Sequence, residues 1–277
     1  MQARISLFPN RSRAILAAVG LAVLSSSCAS IRGPVRNPRF YWSAAQQAYA
    51  AGDYFRTIRY LEHILQSQNE YTAQALPWAL TLNSGMAQGY TELADRYAAG
   101  SQFNHSDPEL FRRQVTVYRM MASRFGIELA EDARLLHILQ SDNLQLAFGC
   151  PRGRSTPPTI LSSVARGAVL SPDEMAIARS GTLAHEILRA ACRSVGLEND
   201  ILKGEEVLSR GGAMVPRSTF VKATSDALST QAALYGPDRL NQPEKMVTFQ
   251  RLALRALYTL PSSGDALIFG VETREEN

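Results

Sequence analysis

Cysteine, histidine and long apolar runs are all scarce in this chain of 277 residues. Three cysteines are too few for a disulfide-dense scaffold. The four histidines, His63, His105, His137 and His185, share no metal-ligand spacing. His185-Glu186 starts like the zinc-protease pattern HExxH, but position 189 is Arg189. Without a second imidazole one helical turn on, one zinc ion cannot be gripped from one helix face. No nucleophile elbow G-x-S-x-G, no P-loop and no G-x-G-x-x-G occurs, so the usual acyl-transfer, nucleotide and dinucleotide signatures are missing. No carboxylate pair stands out as acid and base. These absences point to a non-enzymatic protein without a cofactor.

The apolar run AILAAVGLAVL, Ala14 to Leu24, is shorter than the roughly 20 residues a bilayer span requires. Arg4, Arg11 and Arg13 precede it, and Ser25, Ser26 and Ser27 follow. Positive, then apolar, then small is the order of a secretory signal, so residues 1–27 read as one. The formal charge is +4. Loss of the three arginines leaves the chain nearly neutral, with no basic stripe for nucleic acid.

LSSSC at 24–28 resembles the lipobox of bacterial lipoproteins. In that resemblance Cys28 becomes the first mature residue and carries lipid. Ala29 after it is similar to the pattern of outer-membrane sorting. The implied location is the periplasmic face of the outer membrane, with acyl chains as the anchor. Cleavage after Ala29, giving a soluble periplasmic or secreted protein, is the alternative. In either case the compartment is oxidising, and Cys150 and Cys192 become a candidate disulfide. It would close a loop of about 40 residues, worth roughly 4 kcal/mol by loop entropy.

Residues 28–38 read as lipid attachment and tether. Helical periodicity then begins. Tyr41, Ala44, Ala45, Ala48 and Tyr49 recur at i, i+3 and i+4 spacing. Tyr54, Ile58, Leu61, Ile64 and Leu65 do so after the break Ala51-Gly52-Asp53. Two amphipathic helices joined by that turn make a helical hairpin. The spacing further predicts a helix over 73–99, with small Gly85, Ala87 and Gly89, and another opening at Ser106-Asp107-Pro108-Glu109. Gly126 is a point where that helix breaks or bends. Residues 143–170, rich in Gly and Pro, read as a loop and linker. Ser171-Pro172-Asp173-Glu174 is a capping box with Pro in the first turn. It opens a C-terminal helical region over 171–260, with further pieces near 199–209, 216–235 and 243–260. Residues 261–277 are a tail.

The hairpin resembles a tetratricopeptide repeat (TPR). Ala45 takes the small helix-contact position, Gly52 the turn, Tyr54 the place two residues on, and Thr57, Leu61 and Ile64 the second helix's inner positions. Asn69 and Ala48 stand where that family has Pro and an aromatic. The resemblance implies an all-α fold. TPR-like antiparallel hairpins over 39–142 would stack into a right-handed, solenoid-like body, followed by further helices. It also implies a protein–protein interaction scaffold, with envelope proteins as partners. The aromatics Tyr41, Trp42, Tyr49 and Tyr54 are candidates to line its groove. Arg112, Arg113, Arg119, Arg124 and Arg134 have Glu128, Glu131 and Asp132 nearby. They read as an ion-paired solvent face or as a dock for an acidic partner. Residues 73–130, with ALP, GYTEL and FRRQVTVYRMMASRFGIELA, also resemble the T-component lipoproteins of TRAP-type transporters. That resemblance implies the alternative function, binding a small apolar ligand.

Overall fold

The computed structural model describes residues 37–151 and 158–260, and the chain is mostly helical. Nine α-helices lie among the described residues: α1 (Pro38–Ala50), α2 (Tyr54–Leu65), α3 (Thr72–Ser101), α4 (Pro108–Ala133), α5 (Pro158–Ala165), α6 (Pro172–Ser194), α7 (Ile201–Ser209), α8 (Arg217–Ala232) and α9 (Pro243–Leu257). Two short strands, β1 (Asn143–Leu146) and β2 (Ala213–Pro216), complete the order.

Short polar side chains set the helix starts. Asn37, Asp53, Asp107, Ser171 and Asp200 each precede a helix. Their side-chain oxygens accept from the backbone N–H of Phe40, Arg56, Leu110, Glu174 and Lys203. Each cap satisfies an N–H that has no partner within the helix. At Ser171 the box is complete, because Glu174 also accepts from the Ser171 N–H at 2.8 Å. Between α1 and α2, Gly52 takes a positive φ of 79°, which a side chain would oppose.

α3 is the hub. Its 30 residues are buried on almost every side, as a helix surrounded by others must be. It packs against α2, α4, α5, α6 and α8. Gly85 and Gly89 form the seam with α6. A Cβ at Gly85 would lie 2.5 Å from the Ile187 Cα, so only glycine allows the two backbones this close. The core runs from Trp42 and Leu61 in the first hairpin through Trp78 and Phe125 to Phe220 and Phe249. The C-terminal helices therefore share one core with the N-terminal ones. Burying each such side chain is worth about 1.5–3 kcal/mol.

Three stretches differ from the sequence expectation. Residues 143–146 are strand rather than loop. β1 pairs antiparallel with β2, Leu144 opposite Val215 and Leu146 opposite Ala213. Those four side chains are buried, while Asn143 and Gln145 are exposed. A four-residue strand needs its distant partner to exist at all. Pro158–Ala165, inside the expected linker, is helical, with Val164 in the core. Finally, α4 runs through Gly126 without a break. Phe249 packs over that glycine at 3.6 Å from where a Cβ would be.

Candidate functional site

The outward face of α2 and the adjoining face of α4 form a groove. Asp53 caps α2 and thereby sets its phase. Tyr54, Thr57, Ile58, Leu61 and Ile64 turn inward, which leaves Phe55, Arg56, Arg59 and Glu62 toward α4. A cavity of about 250 Å³ is lined by Phe55, Arg56, Ile58, Arg59 and Glu62, with Arg124 and Phe125 from α4. The rings of Phe55 and Phe125 meet edge-on at 5.4 Å. Tyr90 of α3 stacks on Phe125 at 5.9 Å. The Arg124 guanidinium lies 5.7 Å from the Phe125 ring centre and pairs with Glu128 at 3.0 Å. Along the outer face of α4, Val117, Met120 and Ile127 are exposed.

Beneath the groove lies a cluster of carboxyl groups. Burial, then the charge of Glu128, pushes the Glu62 carboxyl up to about 7, against the pull of Arg124 and Arg59. The two carboxyls share a hydrogen bond, which requires one proton between them. Deeper in, Asp132 is pushed up to about 8, chiefly by burial. Its bond from Asn83 opposes the shift, while Glu62, Glu128 and Glu131 reinforce it. Asn83 is fully buried, and its Nδ2 donates to Asp132 Oδ2 at 3.0 Å. Two atoms at this cluster, Asn83 Oδ1 and Glu128 Oε2, are buried without a partner among the heavy-atom bonds. The arrangement can hold protons near neutral pH and present guanidinium groups beside the exposed ring of Phe55.

The aromatics expected to line a groove do something else. Trp42, Tyr49 and Tyr54 are buried, and only Tyr41 is half-exposed. Trp42 and Tyr49 lie against Trp78 at 5.4 and 5.2 Å, and Phe148 closes on Trp78 at 4.9 Å. The Tyr49 hydroxyl donates to the Gly149 carbonyl at 2.8 Å. α3 and the segment after β1 cover that face of α1, so it is core. Tyr41 rests on His63 at 4.8 Å. Cys28 lies outside the described residues.

Cys150 and Cys192 are free thiols here, not a disulfide. Cys192 is buried against Gly204 of α7, and Cys150 is close enough to raise its pKa together with burial. The arginine face divides. Arg112 and Arg124 form the exposed pairs with Glu109 and Glu128, whereas Arg119 reaches the Arg239 carbonyl at 3.2 Å. His185 is exposed and Glu186 buried. Among the described residues no group of three His, Cys, Asp or Glu side chains is placed to hold a metal ion. None of their helices is long and apolar enough to cross a membrane.

Sequence reasoning named Phe55 only among the first-hairpin aromatics and missed Arg59, Glu62 and the Asn83–Asp132 pair as a site. The available sign was Asn83, an amide set between Leu82 and the small residues Ser84 and Gly85 of a helix rich in apolar positions. A buried polar side chain in such a helix needs a partner. No protein family, curated protein or solved structure matches this chain.

Proposed function

We propose that this protein is a non-enzymatic, lipid-anchored envelope adaptor whose α2–α4 groove docks an acidic, amphipathic segment of a partner protein. The observation that carries the reading is the pairing of exposed Phe55 with Arg56, Arg59 and Arg124 around one cavity. Aromatic and Arg side chains are the residue types that anchor protein interfaces. An apolar side chain can enter against Phe55 and Phe125 while nearby carboxylates meet the guanidiniums. Exposed Met120 and Ile127 extend the apolar contact along α4.

The α1–α2 hairpin is the TPR-like part of this proposal. α3 also packs against α6, far along the chain, outside the nearest-neighbour stacking of a solenoid. The docking surface is therefore assigned to one groove rather than to a repeated concave face. The small apolar ligand is the less favoured reading, because aromatic rings fill the seams around Trp78. A lipid on Cys28 would hold the groove at the outer membrane.

A photo-reactive side chain placed at position 55 in intact cells tests the proposal, with position 202, also exposed, as control. Position 55 is expected to crosslink one envelope protein, through a peptide rich in Asp and Glu, and Arg59→Glu is expected to abolish the product. Equal products from both positions, or a basic crosslinked peptide, would overturn it. The N-terminal peptide in the same spectra reports whether Cys28 carries lipid.

A further inference from the structure

The two sides of α9 differ in what they meet. Phe249, Ala253 and Ala256 are buried, because that side of the helix packs on α8. The opposite side carries Val247, Leu254 and Tyr258 at i, i+7 and i+11, which is one line along a helix. Tyr258 is 85% exposed, Leu254 59%, and Leu257 beside them 40%. A single apolar side chain at the surface needs no explanation, but a row of them marks a contact.

The same face is basic. Arg251 falls on the line between Val247 and Leu254, and Arg255 lies on its flank. Next to Arg255 a cavity of about 160 Å³ opens between α9 and the end of α4. Arg134, His137 and Arg255 line it with Leu252, Ala256 and Thr259, and no carboxylate does. Among the described residues, none of Arg134, His137, Arg251 and Arg255 forms an ion pair.

Cations often gather at helix C-termini to meet the last carbonyls. Here those carbonyls already have donors. Glu131 and Asp132 accept from the N–H of Arg134 and Leu135, and Ala256 and Leu257 from the N–H of Thr259 and Leu260. The Arg134 carbonyl lies 3.0 Å from His137 Nδ1, and the Thr259 carbonyl accepts from Arg217 at 2.7 Å. The guanidiniums of Arg134 and Arg255 are not taken up by capping.

Exposed apolar side chains interleaved with cations that lack a counter-ion fit a bilayer bearing anionic headgroups. Leu, Val and Tyr side chains enter such an interface, while Arg stems lie along it and hold their charges at the phosphates. A soluble anion would leave the row from Val247 to Tyr258 in water. A neutral apolar partner would leave the guanidiniums without counter-charge.

We propose that the outer face of α9 rests on an anionic phospholipid surface, with the cavity at Arg134, His137 and Arg255 taking a phosphate headgroup. The contact fixes which side of the body faces the bilayer. It uses none of the residues that line the α2–α4 groove and needs no lipid on Cys28, so it stands or falls apart from the adaptor reading.

Tyr258→Trp places a fluorophore on this face, and Leu202→Trp places one on exposed α7 as control. Trp42 and Trp78 are buried and give both chains the same background. Each full chain is reconstituted into vesicles of brominated phosphatidylcholine, with and without brominated phosphatidylglycerol. Quenching at position 258 is expected to exceed that at position 202 when phosphatidylglycerol is present. The excess should be lost in phosphatidylcholine alone and in high salt. Each cation held at an anionic surface contributes about fivefold in binding, so Arg251→Glu with Arg255→Glu should also lose it. Equal quenching at the two positions, or quenching at 258 indifferent to headgroup charge, would overturn the proposal. So would emission from position 258 that is blue-shifted without lipid and reverts on dilution or on removal of residues 261–277, which would assign the face to a second copy or to the chain's own continuation. The headgroup comparison uses one chain, so it holds even if an arginine variant misfolds.

Discussion

Asn83 on α3 and Asp132 on α4 meet through a 3.0 Å hydrogen bond, with Asn83 fully buried. Burial raises the Asp132 carboxyl to about 8, so the folded chain keeps a proton there through neutral pH. The unfolded chain releases that proton near the ordinary value of 3.8. Between about pH 4 and pH 8 the folded state binds more protons. Stability contributed by this group is full below pH 4 and declines as pH rises, levelling off above 8. Glu62, raised to about 7, acts in the same direction. Asp132→Asn keeps an acceptor for Asn83 Nδ2 without a titrating proton. Urea unfolding should show its stability falling less steeply than wild type from pH 5 to 8, the remaining slope belonging to Glu62, and lying above wild type at pH 8. A wild-type curve that rises over that range would contradict the account.

The groove above this cluster should feel the same titration. Below pH 7 a neutral Glu62 leaves Arg56, Arg59 and Arg124 less compensated. Capture of an acidic partner is then expected to strengthen as pH falls from 8 to 6, and to weaken with salt. Glu62→Gln should remove most of the pH dependence and leave the salt dependence. Binding measured at those pH values on both forms decides this.

Gly85 separates helix propensity from packing. Alanine is favoured over glycine in a helix by about 1 kcal/mol. At this position its Cβ would sit 2.5 Å from the Ile187 backbone. Overpacking of that kind costs about 1–3 kcal/mol. Gly85→Ala should therefore lower the urea midpoint, and an increase would show that α6 shifts freely.

The two thiols differ in access. Cys150 is half-buried and Cys192 buried, with its thiol pushed up to about 11 by burial and by Cys150. At pH 7.5 iodoacetamide should modify Cys150 first and Cys192 only after denaturation. Intact mass after labelling reads this directly. A chain that takes no label before or after denaturation would be disulfide-bonded.

Ser171 carries a local prediction. Its side chain accepts from the Glu174 N–H at 3.3 Å. Ser171→Ala should cost about 1 kcal/mol, seen as a small drop in the thermal midpoint.

The sequence by itself determined where helices start and turn. Asp107 and Ser171 were legible as caps, and Gly52-Asp53 as the turn of the first hairpin, because a cap or turn depends on residues within four positions. The periodicity of α2 likewise marked Leu61 and Ile64 as inward. Tertiary structure alone decided what each helix face meets. Tyr49 bonds Gly149, and Trp42 and Tyr49 are sealed by Trp78, so aromatics with the look of a groove became core. β1 exists because Val215 and Ala213 arrive opposite Leu144 and Leu146. Asn83 finds Asp132. These relationships join residues about 30 to 100 positions apart. Their partners are chosen by packing of whole helices, and no local spacing encodes that choice.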